Sequence, residues 1–75
     1  MSINTDVAEF VAQPGSKITR KKVFELGLPK GATIGGLVRN GDGYLVNGDT
    51  QIQAGDSVVV FCYNIDLTKL EKFFK

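Results

Sequence analysis

Short apolar segments separated by turns run through the first 63 residues of this chain, and only the last twelve read as a sustained helix. Residues 3–12 (INTDVAEFVA) carry Val7, Phe10 and Val11 with no Gly or Pro, which predicts a strand. Gln13-Pro14-Gly15-Ser16 ends it, because Pro removes a donor and Gly frees the backbone. Ile18, Val23, Phe24 and Leu26 then sit among basic residues. The stretch from Lys21 to Leu26 suits a short helix that Gly27 would stop in the left-handed conformation. Leu28-Pro29-Lys30-Gly31 is a second turn.

Ala32 to Arg39 (ATIGGLVR) predicts a strand whose Gly35-Gly36 pair marks a bulge or a close backbone approach. Asn40-Gly41-Asp42-Gly43 is a strong hairpin signal, with Tyr44-Leu45-Val46 as the returning strand. Turns at 47–50 and 54–56 flank a short extended piece, Gln51-Ile52-Gln53. Ser57 to Tyr63 (SVVVFCY) is apolar at both parities, the pattern of a buried central strand. Residues 64–75 place Leu67, Leu70 and Phe74 on one helical face, with Asn64 or Asp66 as cap and Glu71 and Lys75 paired at i, i+4. The order predicts an α+β fold: a small mixed sheet or partial barrel of four to five short strands, a short helix after strand 1, and a C-terminal helix.

Length makes this one domain spanning 1–75, since 75 residues hold a single small core. Lys plus Arg number 9 against 8 for Asp plus Glu, a net charge of +1 that lacks the basic excess of a nucleic-acid binder. No run approaches the roughly 18 apolar residues of a membrane span, so no direct membrane insertion is expected. The first residues have neither a basic start nor an apolar core, so no secretory leader is expected. The single cysteine, Cys62, excludes an intrachain disulfide and fits a reducing compartment.

The chain contains no histidine, which removes the commonest general base and metal ligand. Cys62 lies inside an apolar run and reads as a buried structural thiol; no triad can be built around Ser2, Ser16 or Ser57. A non-enzyme is expected. Gly-Asp recurs at 41–42, 48–49 and 55–56, but the spacing matches no calcium loop and is ordinary turn chemistry. The glycines at 31–43 lack the strand-before, helix-after context of a dinucleotide fingerprint. Lys17, Arg20, Lys21 and Lys22 form a basic cluster. It is either a solvated face or an anion site, to which Lys30 and Arg39 would add if the fold brought them near.

The ordered series of motifs resembles the TrkA-C (RCK_C) family, the C-terminal regulatory domains of Trk-type potassium-uptake regulators. The likeness rests on Glu9-Phe10-Val11, Gly15-Ser16-Lys17-Ile18, and Lys22 through Gly31 (KVFELGLPKG). It continues through Ile34 to Asn40 (IGGLVRN), Gly48-Asp49-Thr50, Gly55 to Phe61 (GDSVVVF) and the closing Leu67 to Phe74 (LTKLEKFF). It implies a cytoplasmic, dimerising module that senses a ligand for a potassium or other cation transporter, peripheral to the inner membrane through that membrane subunit. It also implies that NAD or ATP binds a Rossmann domain that this chain lacks, so the chain is either a domain of a longer parent or a stand-alone regulator. Some relatives bind cyclic di-AMP. By position, the ligand cleft would involve Leu28, Pro29, Lys30, Ala32, Thr33 and Asn47. A structural dimerisation module without a ligand, or the soluble domain of another ion antiporter, are the alternatives.

Overall fold

The computed structural model describes residues 5–75. Four strands, β1 (Thr5–Val11), β2 (Ala32–Arg39), β3 (Asp42–Leu45) and β4 (Ser57–Tyr63), form one sheet in the order β1-β4-β2-β3. Every pairing is antiparallel. Residues 3 and 4 of the expected first strand lie outside the described residues.

The sheet is therefore open and antiparallel rather than mixed or a partial barrel, and it has four strands. Gln51–Gln53 does not join it: Gln53 N–H donates to the Asp56 carboxylate instead of to a neighbouring strand. The tight turn of the β2–β3 hairpin is as expected. Asn40 and Gly41 both take positive φ (53° and 81°), the combination a type I′ turn requires. The expected Gly35-Gly36 irregularity is a register shift between Ile34 and Gly36.

The expected short helix at 21–26 is absent. Two separate 3₁₀ turns, Lys17–Thr19 and Val23–Glu25, stand in its place. Lys22 between them is extended, with ψ 153°. Val23 and Phe24 give their N–H groups to Thr50 and Gly48 carbonyls at 3.0 Å, so the bonds a helix would need are spent on the 47–50 loop. The C-terminal helix is also shorter than expected. α1 (Leu67–Glu71) tightens into a 3₁₀ turn at Lys72–Phe74. Asp66 caps it by accepting Thr68 N–H, while Asn64 lies before it at φ 50°. Glu71 and Lys75 pair at 2.6 Å.

The core lies on one side of the sheet. Val58, Val60 and Cys62 of β4 and Ile34 and Leu37 of β2 meet Ile18, Leu26, Ile52, Leu70 and Phe74. Gly31 fixes where β2 begins. Its φ of +96° suits glycine, and a Cβ there would overlap the Tyr63 carbonyl oxygen. Gly31 O meanwhile accepts Tyr63 N–H at 2.8 Å, so the two backbones cannot separate without losing a bond. Gly31→Ala is expected to destabilise the domain by about 2 kcal/mol through strain and overlap together, read as a lower denaturant midpoint.

Candidate functional site

β4 was expected to be covered on both faces; it is central in the sheet but covered on only one. Residues directly opposite in an antiparallel pair share a face, so the register lays out the uncovered side in rows. One row is Val7, Phe61 and Thr33; the next is Glu9, Val59, Gly36 and Leu45; the third is Val11, Ser57, Val38 and Gly43. Val7, Val11, Val38, Phe61 and Leu45 are all solvent-exposed, Leu45 at 93%. Within these rows Glu9 is the one charged side chain, and its carboxylate accepts the Ser57 hydroxyl. The run Val58 to Tyr63 is apolar at both parities and predicts burial on both faces; the structure leaves one of them open.

Gly35 lies beside this face. A Cβ there would overlap the Phe61 ring, so the glycine lets that ring lie against the backbone.

Of the ligand-cleft residues expected from the sequence, Thr33 is the one that the register places on this face. Leu28 and Pro29 are half-buried before β2, and Lys30 is exposed at the turn. Ala32 and Thr33 open β2 opposite Cys62 and Phe61, which puts Thr33 on the open face and Ala32 on the core face. Lys30 and Gly31 line a cavity of about 300 Å³ with Tyr63 and Asn64. Asn47 is exposed beyond β3, and its side-chain oxygen accepts Asp49 N–H at 2.8 Å. No hydrogen bond among the described residues links Asn47 to the 28–33 turn.

The repeated Gly-Asp pairs diverge. Asp42 and Asp49 are exposed, whereas Asp56 is 1% exposed. Its two oxygens take Arg39 Nε at 2.8 Å and Nη2 at 2.7 Å, and one also accepts Gln53 N–H at 2.8 Å. The guanidinium holds the carboxyl below the usual aspartate range against the opposing effect of burial, and the Gln53 N–H adds to it. The guanidinium also lies 5.6 Å from the Tyr44 ring centroid. Arg39 is thereby committed to a structural pair and does not add to the basic cluster. Lys30 lines a different cavity from Lys17, Arg20 and Lys21.

Cys62 is 2% exposed, and burial pushes its thiol up, with nearby Asp6 adding to the effect. It is an inert packed thiol, as the sequence indicated. Ser16 Oγ is buried without a hydrogen-bond partner among the described residues. No group of three His, Cys, Asp or Glu side chains among the described residues is placed to hold a metal ion. No helix among them is long and apolar enough to cross a membrane.

The TrkA-C domain family matches residues 7–75. The chain is 33% identical over 70 residues to the "Trk system potassium uptake protein TrkA homolog 1" of Methanosarcina mazei. That alignment covers 93% of this chain and 16% of that protein. It is 34% identical over 71 residues to the "Trk system potassium uptake protein TrkA homolog" of Archaeoglobus fulgidus, covering 95% of this chain and 16% of the relative. A bacterial relative, "Trk system potassium uptake protein TrkA" of Azorhizobium caulinodans, is 33% identical over 70 residues, which are 93% of this chain and 15% of that protein. The chain thus spans about one-sixth of the length of these relatives. With the motifs, the four-stranded sheet and the family match in agreement, this chain belongs to the TrkA-C domain family.

Proposed function

We propose that this chain is a non-enzymatic regulatory module of a potassium-uptake system, acting as a homodimer that responds to a small effector. The observation that carries the reading is the open apolar face of the sheet, on a domain whose relatives are named potassium-uptake proteins. An uncovered face of this kind is a docking surface.

A second copy of the domain fits it. Leu45 stands out as a knob, and Gly36, which has no side chain, lies opposite it in the same row. A two-fold axis would seat each Leu45 against the other copy's Gly36, the self-complementarity an isologous interface needs. Strands of seven, eight, four and seven residues, about 4.8 Å apart and about 3.3 Å per residue, give a flat footprint of roughly 400 Å². That is about half of the roughly 800 Å² per partner of a standard interface, the size of a small one.

The effector cleft lies at the rim of this dimer. It is formed by Leu28, Pro29, Lys30, Ala32, Thr33 and Asn47, with Thr33 beside Phe61 and Lys30 beside Tyr63. A nucleotide such as cyclic di-AMP is the effector class to test first. NAD or ATP would belong to a Rossmann domain elsewhere in a longer parent chain. The partner is the membrane subunit of a potassium or other cation transporter, and the module works on its cytoplasmic side. Regulation follows if the effector binds one arrangement of the dimer better than another.

Sedimentation equilibrium tests the dimer. The expected mass is twice the 8.1 kDa of one chain. Phe61→Lys is expected to give a folded monomer, since that side chain contributes to the open face and not to the core. Thermal unfolding with cyclic di-AMP, ATP or NADH tests the effector. A native-state ligand at 100 times its Kd adds about 2.7 kcal/mol, on the order of 10 °C for a domain this small. A monomer at millimolar concentration would overturn the dimer. A dimer indifferent to all three nucleotides would reduce the module to a structural one.

A further inference from the structure

Beyond that reading, and at a different place on the domain, we propose that Lys17, Arg20 and Lys21 form a binding site for the phosphate group of a polyol phosphate ester. The three cations line one cavity of about 200 Å³, with Glu25 and Leu26 completing it. The sequence placed them close together; the fold turns them onto one concave surface.

Three features make this more than a scatter of surface charge. First, the guanidinium is held in place. Arg20 Nε and Nη2 donate to the Gly15 carbonyl at 3.1 and 2.8 Å, which leaves Nη1 and the second Nη2 hydrogen to face a ligand. A fixed planar fork loses little freedom when it grips two phosphate oxygens. Second, the backbone beneath is braced. Gln51 Nε2 donates to the carbonyls of Thr19 at 2.7 Å and Lys21 at 3.3 Å, and the Lys17 ammonium lies 4.6 Å over the Phe73 ring. Third, the charges are unanswered. The two ion pairs among the described residues are Arg39–Asp56 and Glu71–Lys75, so none of the three cations has a carboxylate at pairing distance.

Glu25 decides the class of ligand. Against three cations it leaves the cavity with a charge of +2, the complement of a phosphate monoester dianion. Its Oε1 accepts Lys22 N–H at 3.3 Å, and its remaining acceptor sites are suited to a ligand hydroxyl. A bare carboxylate ligand would match neither the charge nor the hydroxyl acceptor. Buried Leu26 supplies an apolar floor for the ester carbons. A phosphate monoester with a neighbouring hydroxyl satisfies every element, whether as a free metabolite or as a 1-acylglycerol 3-phosphate in a lipid surface.

The test is a two-dimensional amide NMR titration of the chain with glycerol 3-phosphate, against sodium chloride at matched ionic strength. A parallel arm measures cosedimentation with phosphatidylcholine vesicles that contain 1-acylglycerol 3-phosphate, against vesicles of phosphatidylcholine alone. The expected result is saturable shifts confined to residues 15–26, at least threefold weaker affinity in Lys21→Gln, and about tenfold weaker in Arg20→Gln, which loses the fork. Lys21 makes no side-chain hydrogen bond or ion pair among the described residues, so its variant reports on binding even if Arg20→Gln disturbs the loop. Binding to vesicles but not to glycerol 3-phosphate, with the same loss in Lys21→Gln, assigns the phosphate to a lipid surface. Shifts spread over Lys30, Lys69 and Lys72 as well, shifts reproduced by chloride, or affinities unchanged in Lys21→Gln would overturn the site. The readout is residue by residue and remote from Phe61, so it stands or falls separately from the dimer.

Discussion

Replacing Asp56 with alanine is expected to cost the domain about 2–3 kcal/mol, below the range for a fully buried ion pair because the Arg39 side chain stays 27% exposed. The carboxylate accepts three N–H groups: two from Arg39 and one from Gln53. Its loss unpins the 53–56 turn and leaves the guanidinium without a partner. Each kilocalorie shifts the midpoint of a chain this size by roughly 4–8 °C, so the fall in Tm is on the order of 15 °C. A fall of only a few degrees in circular-dichroism melts would mean that the pair is ornamental. Adding Arg39→Leu to Asp56→Ala is expected to cost less than the two single changes summed, because both remove one interaction.

The same pair sets a pH dependence. Arg39 lowers the Asp56 pKa in the folded state, so above pH 4 or thereabouts, the ordinary aspartate range, its contribution is fully present. As pH falls through the lower folded value, the folded protein must take up the proton as well, and the contribution disappears. Urea unfolding should therefore show a wide gap between wild type and Asp56→Ala at pH 7 that narrows below pH 4. A gap independent of pH would contradict the assignment.

Phe74→Ala is the second large effect, at about 3–5 kcal/mol, the usual range for removing a buried phenylalanine. The ring is 2% exposed and stacks on Phe10 with centroids 4.8 Å apart and planes 17° from parallel. Its backbone carbonyl accepts Gln13 N–H at 2.9 Å, so the ring and the chain end are anchored to the segment that follows β1. Neighbouring Phe73 is only half-buried beneath the Lys17 ammonium, and Phe73→Ala should cost markedly less. Equal losses from the two variants, measured by guanidinium unfolding, would show that the helix end is not packed as described.

What could be read from the chain was local. The Asn40-Gly41 pair accepts positive φ at both positions at low cost, which is the strongest short-range signal for a tight hairpin turn. The last strand and the terminal helix announced themselves by unbroken apolar residues and by Leu70 and Phe74 at helical spacing. What failed depended on partners distant in sequence. Lys21 to Leu26 looks helical until the 47–50 loop takes its amide bonds. Asp56 looks like its sister Gly-Asp turns until Arg39, seventeen residues earlier, reaches it. Val59 and Phe61 carry no mark that tells a buried face from an open one, since both are apolar; only the absence of a covering layer separates them. The cleft residues at 28–33 came from a family likeness, and periodicity would not have found them.

The placement of β4 has a consequence for how the protein comes into being. β4 pairs with both β1 and β2, and its partners in β1 lie 46 residues (Val11 to Ser57) to 58 residues (Thr5 to Tyr63) earlier in the chain. Only the β2–β3 hairpin can close early, and a lone hairpin is marginal in water. Contacts of such long sequence separation fold slowly. On the ribosome, β1 and the β2–β3 hairpin must wait, apolar residues exposed, until Tyr63 has cleared the exit tunnel. Any nascent chain stopped short of that residue has no centre to its sheet, and the quality-control machinery of the cell would meet it as an unfolded protein.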